Sequence, residues 1–221
     1  MVRSSADRGI NRGDQIGMMF FRSFIFFLGV LATLLIGWAG LVGIPNMMIS
    51  EVQPPKGLER YTYEQSFGRS IYIREGCLYC HSQQVRPVGY GADQARFWGR
   101  PSVPADYIYD KPHLLGTMRT GPDLFNIGAR QPSEEWHMLH LYNPRIVSPG
   151  SVMPPFPWLF EEKITAGPED KVVALPDSIA PKGKVIVATA EGRALIAYLI
   201  GMNHTYPVSQ ASASNDTTKK K

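Results

Sequence analysis

The chain is poor in cysteine and in charge. Cys77 and Cys80 are its only cysteines in 221 residues. Two cysteines cannot staple a small scaffold or supply a four-thiolate zinc site, and the gap of two residues between them suits redox, metal or haem chemistry better than a structural bridge. Charged residues make up 19% of the chain, and the formal net charge is +4. Residues 1–22 hold Arg3, Arg8, Arg12 and Arg22 against Asp7 and Asp14, which is +2. The other +2 is spread over residues 51–221, too thin a balance for a nucleic-acid partner. The closing run Lys219–Lys221 reads as a solvated tail. There is no internal repeat, which argues for one domain beyond any anchor.

Charge is missing altogether from residues 23–50. Ser23–Ile44 is an apolar stretch long enough for a helix that crosses a bilayer, where only a helix or a closed barrel satisfies its own backbone. Its length and the lack of an Ala-x-Ala site argue against a cleaved signal peptide. Pro45 is expected to mark its end, and Trp38 to lie towards the far interface. The arginines before Ser23, with Glu51 as the first charge after the span, predict that residues 1–22 stay in the cytoplasm and that the rest lies outside, on the periplasmic face of a bacterial inner membrane.

The remaining chain divides by composition. Residues 45–60 read as a linker, with Pro54, Pro55 and Gly57. A domain is expected over 61–208. It opens with a helix from about Thr62 to Gly76 that places Phe67, Ile71 and Tyr72 on one face. Residues 86–112, rich in Pro, Gly and aromatics, read as an ordered loop. Ser133 can cap a helix that stops before Asn143-Pro144, and Glu134 and Glu135 suit its positive end. Within 163–188, the runs Lys171–Leu175 and Lys184–Ala188 suggest a small hairpin. A last helix over about Ala190–Met202 carries Leu195, Tyr198, Leu199 and Met202 on one stripe. Residues 209–221 are polar and of low complexity, the composition of a disordered tail.

The chemistry lies in Cys77-Leu-Tyr-Cys80-His81, which is C-x-x-C-H, the c-type haem attachment sequence. Two thiols three residues apart at a helix end can each reach one vinyl group of a single porphyrin, and the next side chain, His81, then lies over the iron. A zinc site would need further ligands, and a thioredoxin-like site would need a βαβ setting. The iron needs a second ligand. Met153, in Gly150-Ser-Val-Met-Pro-Pro-Phe156, stands in a loop stiffened by two prolines and is the first candidate, against the alternative that it is a packed hydrophobe. Met202 reads as core, Met118 could pack near the haem, and Met138 lies on the helix after Ser133. His137 and His140, three apart on that helix, could bind a metal together, or make hydrogen bonds and packing contacts. A thioether opposite an imidazole raises the potential and closes the iron to small ligands, which favours electron transfer over oxygen chemistry.

Gly68-x-x-x-Tyr72, the haem motif, Gly121-Pro-Asp-Leu124, the Met-Pro loop and Tyr198-Leu199 resemble a class I cytochrome c. Ile73–Pro87, Arg119–Leu124, Glu135–His140 and Ser151–Pro154 with Pro157-Trp158 are similar to the mono-haem cytochrome c subunit of cbb-type haem–copper oxidases. The resemblance covers the anchor and residues 51–162, and Gly150 and residues 163–188 depart from it. It implies a mainly α fold, with a single transmembrane helix followed by a class I cytochrome c domain with long loops and an inserted β-hairpin. It further implies one covalently bound haem c and a non-catalytic electron-transfer role. The partners would be a haem–copper catalytic subunit and a di-haem cytochrome c subunit. Under it the Pro122 carbonyl accepts a hydrogen bond from His81, Arg86 and Arg119 are candidates for the haem propionates, and Trp158 is a candidate for the haem edge, for an interface or for the core. Two rival readings are a stand-alone membrane-tethered carrier and a haem-based gas sensor with a labile sixth ligand.

Overall fold

The computed structural model describes residues 12–116 and 118–208. The expected tail at 209–221 and the N-terminal Arg3 and Arg8 lie outside the described residues. The chain forms two compact units that divide at Val52 and Gln53.

The first unit is one long apolar helix. Helix α1 spans Arg12–Trp38, a wider π-turn follows over Ala39–Gly43, and α2 continues over Ile44–Ser50. Pro45 therefore does not end the helix, as the sequence suggested. A proline lacks the N–H that the preceding turn needs, and its ring crowds the carbonyl four residues back. The π-turn relieves both, and Ile44 N–H reaches back five residues to the Ala39 carbonyl. Gln15–Ser50 gives 36 helical residues, about 54 Å at 1.5 Å each. That exceeds the roughly 30 Å hydrocarbon core of a bilayer and fits a single-pass membrane anchor.

The second unit is built around two helices that cross. Helix α3 (Tyr63–Arg74) starts at a reciprocal cap, in which Thr62 N–H donates to Gln65 Oε1 at 2.9 Å and Gln65 N–H to Thr62 Oγ1 at 3.2 Å. Helix α6 (Ala190–Gly201) starts at Thr189, whose hydroxyl accepts Gly192 N–H at 3.1 Å. The two meet at Gly68. A Cβ there would collide with the Ala194 carbonyl, so glycine permits the backbones to touch. Ile71 and Tyr72 from α3 and Leu195, Tyr198, Leu199 and Met202 from the end of the chain are all buried in the main core. Burying each such side chain contributes about 1.5–3 kcal/mol. Phe67 departs from expectation. It is 40% exposed, because only the Gly68 and Ile71-Tyr72 side of α3 meets α6.

Short helices α4 (Ile127–Arg130) and α5 (Glu134–Tyr142) complete the helical set. Ser133 caps α5 through Trp136 N–H at 3.1 Å. The sheet has two strands, β1 (Phe160–Lys163) and β2 (Val185–Ala188), antiparallel with Phe160 opposite Ala188. The expected partner of β2, Lys171–Leu175, forms only an isolated bridge from Val172 to Val187. The 171–175 run buries Val173 in the same core as Phe160. It meets β2 through Val173 N–H on the Ile186 carbonyl at 2.8 Å and Ala188 N–H on the Lys171 carbonyl at 2.9 Å. Leu175 N–H then turns back onto the Val173 carbonyl at 2.8 Å before Pro176, and the ladder goes no further. The 86–112 loop has a small core of its own, in which Val85, Trp98, Tyr107 and Phe125 pack together.

Candidate haem-attachment site

Helix α3 delivers the motif. After Arg74 the chain turns through Gly76 at φ 74° into a short 3₁₀ turn, Cys77–Tyr79. The Cys77 carbonyl accepts both Cys80 N–H at 3.1 Å and His81 N–H at 3.0 Å, which gathers the two thiols and the imidazole around one turn. Cys77 is half-buried against the main core and Cys80 is exposed. Burial pushes the Cys77 thiol up to about 12.

His81 is held from behind. Its Nδ1–H donates to the Pro122 carbonyl at 2.7 Å, which leaves Nε2 as the nitrogen with a free lone pair. Gly121 lies flat against the ring. A Cβ added there would fall within the imidazole, 2.8 Å from Nε2. The Gly121 N–H donates to the Cys80 carbonyl at 3.0 Å, which ties this backing strand to the motif itself. Burial lowers the His81 pKa, against the Pro122 hydrogen bond and the Asp123 charge, and favours the neutral ring that a metal requires. Asp123 fixes the backing segment. Its carboxylate is fully buried and accepts Ser82 Oγ–H at 2.6 Å, Gln84 N–H at 2.7 Å and Phe125 N–H at 2.8 Å.

Met153 stands in a looser setting. It is half-buried and packs against the same core as Cys77 and Leu78. Its N–H donates to Ser151 Oγ at 3.3 Å, and Phe156 N–H, three residues on, donates to the Leu141 carbonyl of α5 at 2.9 Å. The other methionines of the second unit differ from it. Met138 and Met202 are core residues, and Met118 is 56% exposed.

The two arginines named from the sequence part company. Arg119 pairs with Asp93, donates to Ser82 Oγ at 3.0 Å and to the Gln84 carbonyl, and lies 3.7 Å from Asp123. Three of its N–H groups thus tie the 86–99 segment to the His81 side. Arg86 contributes its backbone N–H to Asp93 at 2.7 Å, and its guanidinium has no hydrogen-bond partner among the described residues. Trp158 is 57% exposed, with its indole N–H on Glu75 Oε2 at 3.0 Å. His137 is buried and Nε2–H donates to the Gln131 carbonyl at 2.9 Å. Among the described residues no group of three or more His, Cys, Asp or Glu side chains could hold a separate metal ion.

Three buried polar atoms near the motif lack partners: Tyr72 Oη, Arg130 Nε and His140 Nδ1. Arg130 donates through Nη2 to the Asp123 carbonyl, and burial lowers its pKa against the Asp123 charge. Burial, and then the charges of His137 and His81, push His140 down to about 4. Sequence reasoning missed Arg130, because nothing in an isolated Gly-Ala-Arg marks a guanidinium that folds inward. Native interiors rarely leave polar groups unmatched, and their gathering around Cys77 and His81 fits a bound group with polar edges.

A helical domain with a thiol pair at a helix end and an imidazole backed by a carbonyl, preceded in the chain by one long apolar helix, fits the class of haem proteins with a single-pass membrane anchor. The family model described as "Cytochrome C oxidase, mono-heme subunit/FixO" matches residues 19–180. The chain belongs to that family, the mono-haem subunits of cytochrome c oxidase. One haem and a place in an oxidase complex beside its catalytic subunit follow from this membership. Among curated proteins, none matches the chain.

Proposed function

We propose that the chain is an electron-transfer subunit that carries one covalent haem c and passes electrons toward the haem–copper catalytic subunit. The observation that carries this reading is the backed imidazole. The hydrogen bond from Nδ1 to Pro122 leaves Nε2 of His81 as the ligand atom, one residue after a thiol pair at the end of α3. Cys77 and Cys80 would bind the porphyrin edge, His81 and Met153 the iron. Arg86 and Arg130 would face the carboxylates, since a guanidinium forks onto them. Arg119, tied to Asp93, would act chiefly by holding the 86–99 segment in place. A bound haem would supply one-electron chemistry, and Met153 as a thioether ligand together with His81 would favour the ferrous state.

The electrons would come from a di-haem cytochrome c subunit. The domain would lie on the periplasmic face of a bacterial inner membrane, as the charge asymmetry around the anchor argues. A reporter active only in the periplasm should work when fused after Met202. Covalent attachment is tested by peroxidase staining of the denatured chain. Stain that survives acid–acetone extraction supports it, and stain that is lost refutes it. Gentle detergent purification separates the subunit from a stand-alone carrier: the subunit brings a haem- and copper-containing chain with it, and the carrier emerges alone.

A further inference from the structure

Helix α5 carries two histidines in unlike states. His137 is a strut, buried and bonded to the Gln131 carbonyl. His140, nearly one turn on, has no hydrogen-bond partner among the described residues. Its Nδ1 is enclosed and unpartnered, and its ring lies flat on the Trp136 indole, centroids 4.5 Å apart and planes 10° apart. A neutral imidazole carries one proton. On Nδ1 it would bury an unpaired N–H; on Nε2 it makes a donor at the half-exposed edge of the ring. The Trp136 stack fixes the direction in which that donor points.

The surroundings say what it could meet. The next residue, Leu141, accepts Phe156 N–H and so ties the Met153-Pro154-Pro155 segment to α5. On another side His140 lies close enough to His81 to feel its charge. His140 is thus linked on one side to the segment that carries Met153 and on the other to His81, the two proposed iron ligands. An N–H donor without a protein acceptor suits an acidic acceptor from the bound group, and the acidic groups of a haem are its two carboxylates.

We propose that His140 is a haem-binding residue that donates Nε2–H to a haem carboxylate and is not an iron ligand. This rests on the haem reading above. A hydrogen bond there draws negative charge away from the iron. Negative charge favours ferric iron, so loss of the bond lowers the potential.

The test uses the full oxidase complex with His140→Leu and His140→Gln, whose amide can replace the donor. The leucine variant should keep its covalent haem and the near-infrared methionine–iron band. Its ferric/ferrous equilibrium should shift towards ferric by up to about tenfold, about 59 mV for one electron. The carboxylate bands in the resonance Raman spectrum should move with it, and glutamine should recover most of both effects. Unchanged potential and bands in the leucine variant overturn the proposal, as does an equal shift in both variants, which would mean packing alone. If the leucine variant does not accumulate, the glutamine variant decides: carboxylate bands at the position of a carboxylate without a donor overturn it. A wild-type chain without covalent haem would sink the proposed function instead. Retained haem with a silent His140 sinks only this inference.

Discussion

His81 and Met153 occupy contrasting surroundings. Around His81, Gly121 lies against the ring, the Pro122 carbonyl accepts a hydrogen bond from Nδ1–H, and the next residue, Asp123, is anchored by hydrogen bonds from Ser82, Gln84 and Phe125. Around Met153 there is one weak hydrogen bond to Ser151, two exposed prolines and a tie from Phe156 to α5. The first side is rigid by tertiary bonding. The second is rigid mainly by its own covalent geometry, because proline fixes φ without help from neighbours. Geometry should therefore be fragile at His81, while the proposed ligand at 153 should be exchangeable.

The strongest way to break the comparison is to add one methyl group on each side. Gly121→Ala drives a Cβ into the imidazole and should cost about 3 kcal/mol, the upper end for overpacking. It should lower covalent haem content, read by in-gel staining. Gly150→Ala meets nothing within 4 Å and carries only its φ of 83°, so about 1–2 kcal/mol is expected, with haem content intact. Equal effects would show that the two sides are equally tight.

Ligand exchange comes next. Met153→His should keep covalent haem and six-coordinate, low-spin iron, and lower the potential by more than one step of about 59 mV. Oxidase turnover should fall while assembly survives. A variant with the original potential and methionine–iron band would remove Met153 from the site.

The network that braces the His81 side is open to acid. Burial raises the pKa of Asp93, but the hydrogen bonds from Arg119 and the Arg86 N–H outweigh it, and the net shift is downward. A carboxylate depressed in the folded state adds stability above its unfolded pKa of about 3.9 and loses it as pH falls through the folded value. Asp93→Asn should therefore lower Tm at pH 7 and reduce the difference from the wild type below about pH 4. A gap that stays constant down to pH 3 would contradict this coupling.

The smallest effect is expected at Trp158→Phe. It removes one exposed hydrogen bond to Glu75 and should cost about 1 kcal/mol or less in thermal unfolding. The haem spectrum should not change. A spectral shift would bring Trp158 into the haem environment and narrow the contrast between the two sides.

Some of this architecture was open to a reader of residues alone. The Cys77–His81 motif, the uncharged run after Arg22, the cap at Ser133 and the helix starts near Thr62 and Ala190 are local. Their meaning lies in spacing along a few residues, and helical geometry turns that spacing directly into position. The helix past Pro45 was misjudged because a π-turn is a response to strain with no residue signature of its own. The partner of β2 was misjudged because the 171–175 run turns back at Leu175 after a single bridge, a turn that only the folded chain sets. Arg119 was named as a candidate for the haem propionates, and its pairing with Asp93, 26 residues earlier, had no local signal. Arg130 and the unmatched nitrogen of His140 could be seen only once burial was known. Sequence by itself determined the long apolar helix, the Cys77–His81 turn and the helices that frame it, because these depend on neighbours along the chain. The tertiary structure alone decided which arginine is tied down, which methionine stays half-buried and which histidine has a buried nitrogen without a partner among the described residues, because each depends on partners that only the folded chain brings together.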